Sequence, residues 1–542
     1  ATHLSKPVSS ANSPFTQQYH DDEDDEQGSA SPAARTSPGG NRPSKAEPGS
    51  RGPAIVIGSG FGGIAAAIRL QARGYKTTLL EMRDKPGGRA YVYKQDGFTF
   101  DAGPTIITAP FLIDELFDLA GKNSDDYVKI VPCSPYYRII DSEGRVFNYT
   151  GDEEEIIAEI RKFNEDDVPG YLEFVKQSRA IFERAFIDLA DKPFSSFMDM
   201  VRVAPDLVRL RSHESVFTLT ARYIKDPFLQ IVFSFHPLLV GGNPFQSSSI
   251  YSMIHYLERH WGVHFAMGGT GALVEALVDL FKDMGGEFRL NTKVEEILVE
   301  RGAVTGVRIA AVEGEEPEVL SAPVVVANSD VANTYRKLIP AEVRRTWTDT
   351  KLERMKYSMS LFLIYFGTDR TYPELAHHSI ILSPRYKPLL DDIFHKKVLA
   401  EDFSLYLHAP TRTDPTLAPP GCECFYVLSP VPHLGGDIDW TTAAEPYAEA
   451  ILSSLETHCP DLRKHIITRR IFTPLDFESQ LDAYLGSAFQ FEPILTQSAW
   501  FRPHNLAEDI RGLYLVGAGT HPGAGLPGVL CSAKVLENLL PK

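Results

Sequence analysis

The stretch AIVIGSGFGGIAAAIRL, residues 54–70, decides the fold. Its first four residues are apolar and predict a buried parallel strand, which leads directly into the glycine pattern G-x-G-x-x-G. A helix is predicted over residues 64–72, with Gly74 ending it, and a second strand over residues 75–81. Because the glycines stand between a strand and a helix, this stretch predicts a Rossmann-type, dinucleotide-binding β-α-β unit.

Each glycine of the pattern has its own physical role. Gly58 permits the tight turn, Gly60 lets a pyrophosphate approach the backbone, and Gly63 lets the helix pack close to the strand. The helix N-terminus that follows favours the anion. Glu81 ends the second strand, where its carboxylate can accept hydrogen bonds from ribose hydroxyls and would repel the 2′-phosphate of NADP. The predicted contacts of this turn are Gly58, Gly60, Phe61, Gly62, Gly63 and Glu81.

Two further segments favour FAD over NAD. The sequence DKPGGR, residues 84–89, supplies a second glycine pair and an arginine that can donate to pyrophosphate or flavin oxygens. The sequence FDAGPT, residues 100–105, is a turn of small residues suited to lie against a flat ring. A longer, fully buried cofactor needs this second set of contacts, whereas a nicotinamide cofactor does not. The predicted contacts are Gly87, Gly88, Arg89, Gly103, Pro104 and Thr105.

The C-terminal region completes the predicted cofactor site. Residues 512–533 are uncharged and long enough to span a bilayer, but their glycines and prolines predict a strand, a loop and a helix start instead. The loop GAGTHPG, residues 517–523, offers backbone N–H groups to the flavin edge that gains negative charge on reduction. We expect contacts from Gly517, Gly519, Thr520, His521 and Gly528, and from Val294 in a middle strand.

Composition narrows the class of protein. The chain has 542 residues, 43% of them apolar, and a formal net charge of −17. That charge argues against nucleic acid as a main partner, although a local basic patch could still meet a membrane surface. Five cysteines are too few and too irregularly spaced for a disulfide framework. A sparse, odd-numbered set of cysteines is typical of a protein in a reducing compartment. We find no metal-ligand pattern, and the pair Cys422 and Cys424 has no histidine beside it.

From residue 54 to the end, the sequence resembles the bacterial and fungal-type phytoene desaturases, which are carotenoid desaturases within the amine-oxidase-like flavoproteins. The resemblance is carried by the stretch quoted first and by five others: EMRDKPGGRAYVY (81–93), GFTFDAGPT (97–105), FSFHPLLVGGNPF (233–245), GGTGALV (268–274) and YLVGAGTHPGAGLPGV (514–529). The last of these is close to diagnostic for the family.

This resemblance implies an α/β fold. It would consist of a Rossmann-type FAD-binding domain of the amine-oxidase and glutathione-reductase-like kind, interleaved with a mixed α+β substrate domain and a helical region with a candidate membrane-facing surface. The expected segments are a disordered tail (1–53), the first FAD-binding part (54–150), the helical substrate or membrane region (151–260), the second FAD-binding part (261–335), the substrate domain (336–490) and the third FAD-binding part (491–542).

The implied activity is FAD-dependent, stepwise desaturation of phytoene, a C40 polyene, most often to lycopene, with oxygen or a quinone as the final electron acceptor. A hydrocarbon is held by burial of apolar surface, so we expect a tunnel, with residues 228–240 as one candidate wall. The flavin carries the chemistry, and the candidates for the accompanying proton transfer are His521, Asp167 and Glu258. Alternatives on the same fold are an amine oxidase, a carotenoid isomerase or ketolase-type enzyme, and a non-enzymatic lipid-escort protein.

A lipid-dissolved substrate also implies contact with a bilayer. Residues 194–211 mix large apolar residues with Arg202, Arg209 and Arg211, which is typical of an interfacial amphipathic segment. Pro205 interrupts this segment and predicts two short helices. We expect a peripheral protein on the cytoplasmic side of a membrane.

Overall fold

The computed structural model describes residues 47, 49–311 and 316–541. The expectation of a disordered tail over residues 1–53 therefore falls mostly on residues outside this part, and the described chain enters its first strand at Pro53.

In chain order the strands are β1 (Pro53–Ile57), β2 (Lys76–Leu80), β3 (Val92–Gln95), β4 (Phe98–Asp101), β5 (Ile130–Pro132), β6 (Tyr137–Ile140), β7 (Val146–Tyr149), β8 (His264–Ala266), β9 (Glu287–Arg289), β10 (Val294–Glu300), β11 (Ala303–Ile309), β12 (Val319–Ser321), β13 (Val324–Ala327), β14 (Ser360–Thr368), β15 (His378–Ile381), β16 (Leu405–His408), β17 (Glu423–Val431), β18 (Ile466–Phe472) and β19 (Leu513–Leu515).

The α-helices are α1 (Phe61–Ala72), α2 (Phe111–Ala120), α3 (Glu153–Arg161), α4 (Val168–Phe182), α5 (Phe197–Arg209), α6 (Val216–Thr220), α7 (Pro227–Val232), α8 (Met253–Trp261), α9 (Thr270–Asp283), α10 (Val331–Asn333), α11 (Asp349–Arg354), α12 (Tyr386–Asp391), α13 (Trp440–Leu455), α14 (Leu462–His465), α15 (Pro474–Leu481) and α16 (Leu526–Leu539).

A five-stranded parallel sheet has the order β19-β13-β1-β2-β9. It gathers strands from the start, the middle and the end of the chain, and β1 lies at its centre between β13 and β2. The buried alanines of α1 pack this helix closely against α9 and α16 in one apolar core. The predicted Rossmann-type fold is confirmed, and the predicted element ends differ from the observed ones by a few residues.

A second sheet has seven strands in the order β18-β14-β17-β16-β15-β6-β7. Strand β14 is buried along its whole length, and its side chains alternate between two cores. Leu361, Leu363 and Tyr365 face one core, while Phe362 and Ile364 face the other, together with residues of α13. This period of two is what a central strand covered on both faces requires.

The chain between β7 and β8 is mainly helical, from α3 to α8, as predicted. Helix α5 corrects one expectation, because Pro205 lies inside a single helix instead of separating two. A capping box between Ser196 and Asp199 starts this helix. Among the described residues no helix combines the length and the apolarity needed to cross a membrane.

Candidate active site

The N-terminal and C-terminal glycine turns lie against each other at the carboxyl ends of β1 and β19. A Cβ atom added to Gly62 would stand 3.1 Å from the Cα atom of Gly517. A Cβ atom added to Gly63 would stand 2.0 Å from the carbonyl oxygen of Gly58. Both turns line one cavity of about 670 Å³. The backbone is therefore open for close approach by a ligand at the place that the sequence predicts.

Asn328 is a residue of this cradle that the sequence reasoning missed. It follows β13 directly, and its side-chain amide donates to the Gly58 carbonyl oxygen over 3.4 Å. A Cβ atom added to Gly62 or to Gly517 would lie 2.7 Å from the side-chain amide oxygen of Asn328. Its position in the sequence could have identified it, because the residue that follows a central parallel strand lies where ligands bind in such sheets.

Glu81 organises the opposite side of the turn. One of its carboxylate oxygens accepts from the Ser59 backbone N–H over 3.0 Å and from the Ser59 hydroxyl over 2.5 Å. The other accepts from the Arg83 backbone N–H over 2.9 Å. The carboxylate is buried and lines the cavity, and its oxygens retain lone pairs for ribose hydroxyls.

Arg89 lines the cavity from the second glycine segment, together with Gly87 and Gly88. Its guanidinium donates to the carbonyl oxygen of Ala488 over 2.6 Å and to that of Ser487 over 3.3 Å. Burial lowers the pKa of this guanidinium. The carbonyl contacts hold the arginine at the cavity wall and leave further N–H groups for a ligand.

The turn over residues 103–105 faces a cluster of tyrosines. The Thr105 hydroxyl lies 2.8 Å from the Tyr426 hydroxyl and 3.1 Å from the Tyr406 hydroxyl. Tyr426 also donates to the Gly103 carbonyl oxygen over 2.8 Å. Gly103, Pro104 and Thr105 all line the cavity.

The remainder of the cavity wall is largely apolar and comes from the seven-stranded sheet and the helical region. Of the predicted wall at residues 228–240, only the second half lines the cavity, while Phe228 and Phe233 pack in the aromatic core behind it. The apolar lining residues include Phe235, Leu238, Leu239, Leu257, Leu361, Leu363, Ile380, Leu382, Leu405, Leu428, Phe472, Phe477 and Leu481. The glycine turns that fit a nucleotide and the apolar wall therefore border the same cavity.

Comparison with known proteins agrees with this geometry. Residues 61–534 match the family described as flavin containing amine oxidoreductase. The chain belongs to this family. Within it, the chain is 52% identical over 491 residues to the phytoene desaturase (lycopene-forming) of Pseudescherichia vulneris, covering 90% of this chain and 98% of that protein. The phytoene desaturase (lycopene-forming) of Pantoea ananas is also 52% identical, over 493 residues, covering 90% of this chain and 99% of that protein.

A solved double mutant of putrescine oxidase has the same fold, with a TM-score of 0.60 at 13% identity, covering 90% of this chain and 98% of that one. The protein is a flavin oxidoreductase with FAD as its cofactor. The residues present fit this cofactor, because side chains at Gly62, Gly63 and Gly517 would collide with backbone or with Asn328. Gly58, Gly60, Phe61, Val294 and Gly528 also line the cavity.

Part of the C-terminal loop, predicted to contact the cofactor, does not line the cavity of this flavin oxidoreductase. Gly519, Thr520 and His521 are absent from the described lining of the cavity. The Thr520 hydroxyl donates to the Pro503 carbonyl oxygen over 2.7 Å, and His521 Nε2 lies 3.1 Å from the Leu189 carbonyl oxygen. Burial lowers the pKa of His521 to about 4. The loop meets the cavity instead through residues 517–518, 522 and 524–529.

The three candidates for proton transfer have different surroundings. Asp167 is buried outside the cavity lining and accepts from the backbone N–H groups of Lys225 and Asp226, over 2.7 and 2.8 Å. Asp167 and His521 therefore make structural contacts and lie outside the described lining of the cavity. Glu258 on α8 lines the cavity and is buried.

Glu258 is held by two neighbours. The Tyr137 hydroxyl donates to one carboxylate oxygen over 2.6 Å, and His236 Nε2 lies 3.1 Å from the other. Tyr149 extends this buried polar group, since its hydroxyl lies 3.2 Å from His236 Nε2 and also hydrogen-bonds His255. Of the three candidates, Glu258 has the placement that proton transfer with a ligand in the cavity requires.

Proposed function

We propose that this protein is an FAD-dependent phytoene desaturase that forms lycopene by successive desaturations. The observation that carries the proposal is the single cavity, which joins the glycine cradle to a long apolar wall. The two relatives described above carry the same activity in their names.

The wall suits a hydrocarbon better than an amine. A polyene has no charge and no hydrogen-bonding group, so its binding energy comes from apolar burial, at about 25 cal/mol per Å². Aliphatic residues from four neighbouring strands, such as Leu363, Ile380, Leu405 and Leu428, provide such a surface. A protonated amine would lose its hydration in such a wall without compensation.

Bound FAD supplies the oxidising power, because an oxidised flavin accepts a hydride from the substrate. A new C=C bond also requires that the neighbouring carbon lose a proton. We assign this proton to a carboxylate oxygen of Glu258, with Tyr137 and His236 orienting the carboxylate. Oxygen or a quinone is the proposed acceptor that returns the flavin to its oxidised state.

We further propose that α5 touches the membrane in which phytoene dissolves. Phe197, Val201 and Val208 lie on one face of this helix, and Phe197 and Val208 are 56% and 69% exposed. Arg202 and Arg209 stand beside this stripe with exposed side chains. Each forms a surface ion pair with an aspartate of α5, and such an exposed pair is weak enough to yield to an anionic headgroup. The protein would then be peripheral, and its five free cysteines support the cytoplasmic side.

The activity is tested with the purified flavin-loaded protein and phytoene in liposomes. We expect lycopene, identified by chromatography and by its visible absorption. An amine consumed while phytoene stays unchanged would overturn the proposal. Gly60→Val should remove both bound FAD and lycopene formation, because a Cβ atom there would already stand 2.9 Å from the Asn328 amide.

The membrane contact is tested by flotation with anionic vesicles. Val208→Asp should reduce the vesicle-bound fraction while leaving the FAD content unchanged. Val319→Asp is the matched control, because Val319 is an exposed valine on β12, remote in sequence from α5. Equal binding by both variants would exclude α5 as the contact.

A further inference from the structure

A buried cluster of one thiol and two imidazoles lies behind the tyrosines of the cavity wall. Cys133 follows β5, His377 precedes β15, and His378 is the first residue of β15. One potential ligand atom from each residue lies within 4.8 Å of those from the other two. Cys133 lies 244 residues before the adjacent histidines, so the sequence shows no metal-ligand spacing. They do not line the described cavity and take no part in the proposed reaction.

Each of the two imidazoles has a hydroxyl partner at its Nδ1 atom. His377 Nδ1 lies 2.6 Å from the Thr413 hydroxyl, and His378 Nδ1 lies 2.6 Å from the Tyr406 hydroxyl. Nε2 of both rings has no hydrogen-bond partner among the residues that the structure describes. With the proton on Nδ1, each Nε2 carries a lone pair, which is the arrangement that outer partners impose on metal-binding histidines.

Burial makes this arrangement difficult to explain as ordinary packing. The exposed fractions of His378, Cys133 and His377 are 0%, 5% and 7%. Polar groups at this depth normally have a partner, because an unpaired one loses its hydration without compensation. A third buried ring, His408, stands opposite His378 in the β15–β16 pair, and neither of its nitrogens has a partner within the described chain.

We propose that Cys133 Sγ, His377 Nε2 and His378 Nε2 bind one Zn²⁺ ion. Sulfur and imidazole are the donors that Zn²⁺ prefers, and a tetrahedral site holds them roughly 3.3–3.7 Å apart, a small closure from the present spacing. Binding releases the thiol proton to solvent and leaves the fourth position to His408 or to water. The ion would tie the end of β5 to β15 and fix Tyr406, whose hydroxyl touches Thr105 at the cavity wall.

The test uses the untagged, flavin-loaded protein, stripped with a chelator and dialysed against Zn²⁺. We expect about one zinc per chain, and none in Cys133→Ser or His378→Gln. Cys459→Ser is the matched control, because Cys459 is also a buried free thiol whose pKa burial raises to about 12. FAD content verifies that each variant is folded. Zinc-free wild-type protein, or full zinc in Cys133→Ser, would overturn the proposal.

Co²⁺ gives a second readout that needs no variant. Replacement of Zn²⁺ by Co²⁺ should produce a thiolate-to-cobalt charge-transfer band in the difference spectrum against the stripped protein. If Cys133→Ser fails to hold FAD, this band in the wild-type protein decides the matter. A cobalt spectrum without a thiolate band would exclude Cys133 as a ligand.

Discussion

Replacement of Gly63 by alanine should expel FAD through a single added carbon. The new Cβ atom would stand 2.0 Å from the Gly58 carbonyl oxygen, more than 1 Å inside ordinary contact. Both atoms are fixed to backbone, so no side-chain rotation relieves the overlap. Either the turn or the start of α1 must move by about 1 Å, at a cost of about 1–3 kcal/mol.

That shift would separate the N–H groups of the turn from the pyrophosphate. A hydrogen bond to a charged group contributes about 1.5–3 kcal/mol, so losing two lowers FAD affinity roughly 10²- to 10⁴-fold. Equilibrium dialysis of the apoprotein with FAD measures this directly. Gly421→Ala is the control, since its Cβ atom meets nothing within 4 Å and its φ of +79° alone costs about 1–2 kcal/mol. Unchanged FAD affinity in Gly63→Ala would refute the reasoning.

Three further predictions concern single carboxylates. Glu81→Gln should weaken FAD binding about 10- to 100-fold, measured by the same dialysis, because a neutral amide accepts ribose hydrogen bonds less strongly; equal affinity would show that Glu81 only holds Ser59. Glu258→Gln should lower phytoene turnover about 10²- to 10⁴-fold at full FAD content, and unchanged turnover would remove Glu258 from the proton step. Burial raises the pKa of Asp101 from 3.8 to about 6, so the folded protein binds this proton more tightly and loses stability as the pH rises from 4 to 6. Asp101→Asn should therefore raise the free energy of unfolding at pH 8 by about 3 kcal/mol and leave it unchanged below pH 4, as measured by chemical denaturation; equal stability of both proteins at pH 8 would contradict this.

The sequence was sufficient for the nucleotide cradle because the requirements there are local. A tight turn between a buried strand and a helix needs glycine at fixed positions, and Gly58, Gly60 and Gly63 meet that need whatever surrounds them. Glu81 was found by the same reasoning, since the end of the second strand stands beside the first. Asn328 was within reach of the same reasoning, because it follows Val324 to Ala327, an apolar run that is typical of a buried parallel strand.

The rest of the site depends on contacts between residues distant in sequence. The apolar wall exists because β14 pairs with β17 and β18, and β15 with β6, and periodicity does not specify such pairings. The direction of the His521 ring is set by the Leu189 carbonyl, which belongs to the helical region. The cluster of Cys133 with two histidines arises in the same way, from a loop and a strand that only the folded chain brings together.

The measurement that bears most directly on the account is an anaerobic half-reaction. The flavin-loaded protein is mixed with phytoene in liposomes without oxygen or quinone, and flavin absorbance is followed together with the carotenoids formed. We expect the flavin band to bleach as about one double bond per flavin is introduced, and colour to return on adding the acceptor. A flavin that stays oxidised while phytoene occupies the protein would contradict a shared cavity in which cofactor and hydrocarbon meet.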